Sequence, residues 1–567
     1  MGRAFRAACR RAPRSDVMVA DPQDANVRVR SVGQWCGVRS NMKNVIFITA
    51  DQLAARWLGC YGSGVDSTPT LDRLAAEGVR FERCYATFPV CAPNRATMLT
   101  GRSPVVHGIT TNNYVLRTDM PTYAHVLQRQ GYRTGGFGKF HQTPMHMPVG
   151  DMAHLGFDES VVSEDPKWGP WIEWIKREHP EHYDAALALA WPFWPNHPEP
   201  EDLERAKRAR NEVLVPLMRD SSWALMYPSP LPAELHDTTY ITNLSLDFIQ
   251  RHVAEHEAQP FFCHISYVDP HDPYDPPEPY ASMFDPDDMP AAVPAEWREG
   301  GFETLAGAQR FWRFDQVWDK PDVVAKLRSL YHGSLRLIDD QIGRLVTSLE
   351  GSGLWEETIL VFTTDHGEML GDHGLMTKGP KHYDAGIRVP LIVAGGGVAA
   401  GVSDRLTCTL DFYPTFCDWA EVGEDQLPPL EGRSLAGVCA GQSEPNPWHA
   451  VSVAAGAVRS VVSDDGWRLT RFMREGMGQL FDLNADPDEQ NNQYDCVELA
   501  ARRQQMLEQM VDLESLPARV PQYRNLPVDG GHLWTASKGQ GHSLSQGPEV
   551  YPSPPSPYGR EGNGGQG

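Results

Sequence analysis

Residues 44–49, Asn44-Val45-Ile46-Phe47-Ile48-Thr49, followed at once by Ala50-Asp51-Gln52, decide the fold. A short run that is apolar without interruption and rich in β-branched residues suits a strand buried on both faces, as in the middle of a parallel sheet. Working outward, residues 70–77 (TLDRLAAE) have helical spacing and stop at Gly78. Residues 120–130 repeat the pattern with Gly131 as the stop, and residues 132–137 return to the sheet. Residues 261–268 (FFCHISYV) and 358–364 (TILVFTT) read as two more buried strands, and 390–394 as a shorter one. Strands that alternate with helices predict an α/β fold with a mostly parallel sheet flanked by helices.

The chain has 567 residues, 41% of them hydrophobic and 22% charged, which excludes a disordered or collagen-like polypeptide. Its 51 Lys and Arg stand against 74 Asp and Glu, a formal charge of −23. Such a field repels nucleic acid and anionic lipid, so neither is expected as a partner, and an anionic substrate needs a local cluster of cations. No apolar run is long enough to span a membrane. Residues 1–41 are Arg-rich without an apolar segment and read as a disordered or upstream extension, with Met42 as a natural start. With no secretory signal the expectation is a cytoplasmic protein whose ten cysteines, none in CxxC or CxxH spacing, are reduced core fillers.

The expected division is a catalytic domain over 42–440, a small C-terminal α+β domain over 441–520 with an antiparallel sheet, and a disordered Gly/Ser/Pro-rich tail over 521–567. Within the first, 165–235 is dense in Trp and Pro and reads as an insertion, either a lid that shapes a pocket or a segment packed on the sheet.

The chemistry centres on residues 91–102, Cys91-Ala92-Pro93-Asn94-Arg95 running on to Gly101-Arg102. Pro93 suits a first helical position and Gly101 a C-terminal stop, which puts Cys91 at a helix N-terminus, where the dipole favours an anion. Asp51 and Gln52 follow one predicted strand, and Asp365 and His366 another, at the carboxyl ends where α/β sheets place ligands. Two carboxylates, an amide oxygen and an imidazole suit a hard divalent cation. Each of these residues alone has an ordinary structural reading, such as a buried thiol or a turn carboxylate.

Taken together, the motifs resemble the sulfatases of the alkaline phosphatase superfamily over roughly residues 42–515. The matching stretches are ADQ at 50–52, CAPNRATMLTGR at 91–102, GKFH at 138–141, DPHDPY at 269–274, TTDHGEMLGDHG at 363–374, the region of Lys378, RVPLIV at 388–393, DFYPT at 411–415 and QLFDLNADPDEQNN in the small domain. The resemblance implies that Cys91 is oxidised to formylglycine by the formylglycine-generating enzyme. It implies one divalent metal ion on Asp51, Gln52, Cys91, Asp365 and His366, with Ca²⁺ expected first and Mn²⁺ or Mg²⁺ as alternatives. Arg95 would hold the formylglycine, and Lys139, His141, His271, Lys378 and Asn112 would surround the sulfate.

On this reading the metal-activated hydrate attacks sulfur, Asp365 accepts a proton, and His271 protonates the leaving alkoxide. The second hydroxyl then loses its proton towards His141 and expels sulfate. Asn94 stands where the family has a small residue. The pair Gln52 and His366, together with residues 121–134, resembles the branch of choline sulfatase and the phosphonate monoester hydrolases and leans the metal towards Mn²⁺. Three functions follow: a sulfatase acting on a small-molecule or saccharide sulfate ester, a phosphonate monoester or phosphodiester hydrolase on the same scaffold, and a non-catalytic binding protein if Cys91 stays a thiol. Lys139 and His141 favour the first over the second. The natural substrate and the oligomeric state are not written in the sequence.

Overall fold

The computed structural model describes residues 42–515, apart from 113, 144–149, 192–199, 220–224, 257–258, 312–319, 444 and 447. The expectations for residues 1–41 and 521–567 lie outside these described residues.

The large sheet contains β1 (Asn44–Ala50), β2 (Val79–Tyr85), β3 (Arg133–Gly138), β4 (Glu159–Val162), β5 (Phe261–Ser266), β6 (Thr358–Thr364), β7 (Arg388–Val389), β8 (Leu391–Gly395) and β9 (Gly401–Cys408). Their order is β4-β3-β5-β1-β6-β8-β2-β7, with β9 also on β2. The first five run parallel. β8 joins β6 and β2 antiparallel, and β2 pairs parallel with β9. The sheet is therefore mostly parallel, with β1 at its centre as its composition predicts.

Helices cover both faces, as apolar strands without alternation require. On one face the helices Pro69–Glu77, Asp237–His256 and Pro321–Gly351 bury Leu74, Phe248, Leu335 and Ile342 against Ile46, Ile48 and Phe362. On the other, the helices Cys91–Thr100 and Phe412–Trp419 set Ala96, Phe412 and Phe416 against Val45 and Phe47.

Register decides where the chemistry sits. Ala50 pairs with Thr364, so the next residues, Asp51 and Asp365, leave adjacent strands side by side. Gly138 pairs with Ser266, which brings Lys139 to the same edge. Gly138 has φ 102°, and a Cβ there would fall 1.8 Å from the Ser266 carbonyl oxygen, so only glycine lets β3 turn here.

The second sheet comprises β10 (Ala450–Ala455), β11 (Val458–Ser463), β12 (Trp467–Phe472) and β13 (Met477–Asp482), antiparallel in that order as expected. The helix Ala500–Ser515 covers one face through Met506 and Met510. The other face shares an apolar cluster with the large sheet, where Val451, Val453 and Val462 meet Tyr85, Leu406 and Cys408.

Among the described residues of the insertion, the aromatic side chains pack inward. Trp168, Trp171 and Tyr183 are buried with Leu187 and Leu235, and Trp174 stacks on Tyr240 with ring centroids 5.0 Å apart. Most of 191–200 (WPFWPNHPEP) lies outside the described residues. All eight described cysteines are free, and no helix among the described residues is long and apolar enough to cross a membrane.

Candidate active site

The Cys91–Thr100 helix is buried along its whole length. It starts two residues earlier than Pro93 suggests, which places Pro93 in the first turn, where a missing N–H costs nothing. Gly101 closes it at φ 63°. Asn112 accepts a hydrogen bond from Ala92 N–H at 3.1 Å and so satisfies one of the unpaired groups at the helix start.

Cys91 faces the ends of β1 and β6. Its Sγ lies 3.2 Å from His366 Nε2 and 3.8 Å from Asp51 Oδ1. Single donor atoms from Asp51, Cys91, Asp365 and His366, all buried, fall within 4.8 Å of one another. Arg95 organises the carboxylates by donating from Nε to Asp365 Oδ2 at 2.8 Å and from Nη2 to Asp51 Oδ2 at 3.1 Å. Its Nη1 is anchored by the Lys139 carbonyl and Ser266 Oγ. The Oδ2 atoms are thus engaged, and the Oδ1 atoms of both face His366 in the cluster, that of Asp365 also accepting from Gln52 N–H at 3.1 Å. His366 Nδ1 donates to the Gly367 carbonyl at 3.0 Å, which leaves Nε2 pointing inward. Carboxylate oxygens, an imidazole nitrogen and residue 91 make a donor set that fits a hard divalent cation.

Gln52, expected as a ligand through its amide oxygen, is held otherwise. Its Oε1 accepts from Lys378 Nζ, and its Nε2 donates to Asp272 Oδ1 at 3.2 Å and Tyr274 Oη at 3.4 Å. Its backbone sits at φ 63° and that of His141 at φ 53°, strained conformations of the kind that collect at functional sites.

The four expected cationic groups surround Cys91 from two sides. Lys139 Nζ lies 2.5 Å from Asp51 Oδ2 and also pairs with Asp165. Neither ring nitrogen of His141 has a nitrogen or oxygen partner, Asp165 lies 3.9 Å from Nδ1, and the ring bears on the Cys91 thiol. His271 presents Nδ1 to the Asp272 carbonyl at 2.7 Å and Nε2 to Lys378 Nζ at 2.5 Å.

These charges set the proton affinities. Burial alone pushes the Cys91 thiol up, but Lys139, Lys378 and His366 outweigh it and hold the thiol well below its ordinary value. Burial and the charge on Cys91 act to raise Asp51, yet Lys139 and Arg95 keep it low. Burial and Lys378 push His271 down, while the carboxylates of Asp272 and Asp165 push harder and raise it to about 9.

Three participants have no role in the sequence reading. Asp165 joins Lys139 and His141, Asp272 joins Gln52 and His271, and Asn94 binds the Asp365 carbonyl through Nδ2 while its Oδ1 accepts from Thr409 Oγ1 at 2.8 Å. Asn94, the departure from the usual small residue, therefore ties the Cys91 helix to the end of β6. A buried carboxamide at that place could have been suspected from its polarity alone, whereas a single Asp among Trp and Pro at 165 carries no signal.

Comparison with known proteins supplies the family. A profile described as "Sulfatase" matches residues 43–422, and one described as "N-sulphoglucosamine sulphohydrolase, C-terminal" matches 371–515. An arylsulfatase of Clostridium perfringens is 29% identical over 463 residues, covering 79% of this chain and 89% of its own length. A choline-sulfatase of Rhizobium meliloti is 25% identical, covering 79% and 82%. Among solved structures, a phosphonate monoester hydrolase of Agrobacterium radiobacter superposes with a TM-score of 0.68 at 25% identity, covering 84% of this chain and 96% of its own. With a profile match across more than half its length and the predicted sheet in place, the chain belongs to the sulfatase family of the alkaline phosphatase superfamily, the sulfuric ester hydrolases.

Proposed function

We propose that the protein hydrolyses a sulfate monoester to an alcohol and inorganic sulfate, with Cys91, oxidised to formylglycine by the formylglycine-generating enzyme, as the nucleophilic residue. One divalent cation, Ca²⁺ first with Mn²⁺ or Mg²⁺ as alternatives, would be held by Asp51, Asp365 and His366 with residue 91, and by Gln52 once its amide turns from Lys378. The observation that carries this reading is the convergence of Asp51, Cys91, Asp365 and His366 within 4.8 Å at the ends of two paired strands. The bound cation supplies charge that lowers the pKa of the hydrated aldehyde's hydroxyl to near neutrality.

The chain's own residues do the rest. Arg95 fixes both carboxylates through their outer oxygens and leaves the inner ones facing residue 91. Asp365, one of those inner oxygens, lies where a proton leaving residue 91 can go. Lys139 and Lys378, whose charge already bears on Cys91, sit where the sulfate oxygens gain negative charge, a term that is large in a site without solvent. His271, raised to about 9, keeps a proton at neutral pH for the leaving alkoxide, a general-acid contribution of roughly 10²–10⁴-fold. His141, with no nitrogen or oxygen partner on its ring, takes the proton in the second half of the cycle, and Asn112 steadies the helix start beneath the sulfate.

A small-molecule or saccharide sulfate as substrate is supported by the relatives, one an arylsulfatase and one a choline-sulfatase, and by the C-terminal profile named for N-sulphoglucosamine sulphohydrolase. Hydrolysis of phosphonate monoesters is the second reading, favoured by the likeness to the Agrobacterium enzyme. Lys139 and His141 beside Cys91 support sulfate.

The test starts with protein coproduced with the formylglycine-generating enzyme. The Cys91 peptide is expected about 18 Da light, since sulfur and two hydrogens leave and one oxygen enters. Converted protein is then assayed on aryl sulfate, aryl phosphonate, sulfated sugars and choline sulfate. Faster turnover of a sulfate supports the proposal, faster phosphonate hydrolysis favours the second reading, and converted protein that cleaves none of them overturns both.

A further inference from the structure

A second group of buried charges gathers residues that the proposed reaction does not use. Lys167 opens the insertion, His236 and Asp237 stand at the head of the Asp237–His256 helix, and Asp269 and Asp275 flank His271 in the loop after β5. None is more than 3% exposed. His236 Nδ1 lies 3.2 Å from Asp237 Oδ1 and 3.5 Å from Asp269 Oδ2, and one donor atom from each residue falls within 4.8 Å of the others.

The obvious reading is a charged imidazole donating to two carboxylates, but the backbone argues against it. Thr238 N–H lies 3.4 Å from the same Nδ1, a contact made by a nitrogen without a proton, and a bound cation would take that lone pair from it. Asp269 Oδ2 accepts a hydrogen bond from Thr238 Oγ1, whereas both carboxylate oxygens of Asp237 are buried without a donor. The separations of 3.2 and 3.5 Å match the edges of an octahedron with ligand bonds of about 2.3–2.5 Å, the range of Ca²⁺ on oxygen.

The surroundings are short of donors and of positive charge as well. Lys167 Nζ stands 3.6 Å from Asp237 Oδ1 and 3.8 Å from Asp275 Oδ2, beyond hydrogen-bond reach. Lys167 Nζ, His236 Nε2 and both carboxylate oxygens of Asp237 and of Asp275 are buried without a hydrogen-bond partner. With Asp275 held neutral by burial, the carboxylates of Asp237 and Asp269 against one ammonium leave a negative charge where it is costly, and a divalent ion outweighs it. Burial pushes Asp275 up to about 8 even with Lys167 nearby, which marks how little one lysine achieves there.

We propose that His236 Nδ1, Asp237 Oδ1 and Asp269 Oδ2 form a second cation site for a hard divalent ion such as Ca²⁺, with Lys167 and Asp275 beside it. The ion would anchor the start of the loop that carries His271. The Asp269 carbonyl in turn accepts a hydrogen bond from Asp51 N–H at 3.1 Å, so the anchor adjoins the end of β1.

Metal stoichiometry tests this. The full chain, stripped with a chelator and dialysed against Ca²⁺ and separately Mn²⁺, is expected to take up two equivalents of one of them. Asp365→Asn, which disrupts the cluster at Cys91, should retain one, and Asp237→Asn should retain only the one that Asp365→Asn loses. The wild-type count stands even if a variant fails to fold, and fewer than two equivalents with both ions overturns the proposal. Two equivalents that both survive Asp237→Asn in folded protein overturn it too.

Discussion

Cys91, at the carboxyl edge of the large sheet, and Cys263, in the middle of β5, are both wholly buried, yet their surroundings act on the thiol in opposite directions. Cys263 pairs in register with Ile46 on one side and Gly135 on the other, among Phe248, Phe261 and Ile265, and burial pushes its thiol up with little to oppose it. Cys84 in β2 behaves alike and is pushed up to about 12. At Cys91 burial acts the same way but loses to Lys139, Lys378 and His366. The difference follows from position along a strand. In mid-strand the backbone groups are spent on the ladder and apolar side chains fill both faces. Where strands end in register, turns and loops release side chains from several segments into one place, and charge collects there.

The contrast is broken most severely by Cys91→Ala. Loss of the nucleophilic residue is expected to cost at least about 10³-fold in kcat on aryl sulfate, while the chemical-denaturation midpoint stays near that of the wild type. Retained turnover in that variant would remove the edge site from the chemistry altogether.

His271→Gln comes next, with an expected loss of roughly 10²–10⁴-fold in kcat. It also tests the sign of the pH dependence. Because Asp272 and Asp165 raise His271 to about 9, it is protonated, and able to act as an acid, below that pH. Wild-type kcat/KM should therefore fall as pH rises through about 9, and the variant should lose that limb. For stability, a folded-state pKa above the unfolded value gives a contribution present in full below the unfolded value near 6.5 and lost as pH rises through about 9.

Smaller again is Asn94→Ala. It removes the link between Nδ2 and the Asp365 carbonyl and leaves Thr87 and Thr409 without their acceptor, at a cost of about 1–3 kcal/mol in stability. Turnover should drop several-fold as Asp365 loosens. An unchanged melting temperature would show that the helix and β6 hold their relative positions without it.

How much of this was legible depends on what each residue had to show. β1, β5 and β6 announced themselves because a strand buried on both faces must be apolar throughout. β2 and β9 did not, since VRFERCY and GVSDRLTC mix apolar with charged residues, and Arg80, Glu82 and Arg83 in β2 are only partly buried. β4 is four residues at the edge of the sheet. The grouping of Asp51, Cys91, Asp365 and His366 was readable from strand ends and a helix start, and the register of β1 with β6 brings it about. What the amide of Gln52 does was not readable, because its partners Asp272, Tyr274 and Lys378 come from loops more than 200 residues away in the chain. Asp165 was hidden for the same reason: its importance lies in Lys139 and His141, not in its neighbours along the sequence.

The mildest test of the contrast lies on the apolar side, in Cys263→Ala. The substitution deletes one sulfur from a packed position beside Gly135, where Phe248 lies so close that a Cβ on the glycine would meet its ring at 2.9 Å. That crowding limits how far the neighbours can relax into the space, so the loss should approach the full transfer cost of a buried atom the size of a methylene, about 1 kcal/mol. The expected result is a slightly lower denaturation midpoint with kcat and KM on aryl sulfate unchanged. A fall in kcat of tenfold or more would mean that the middle of β5 transmits to the edge, and mid-strand and strand-end positions would then have to be treated as one unit.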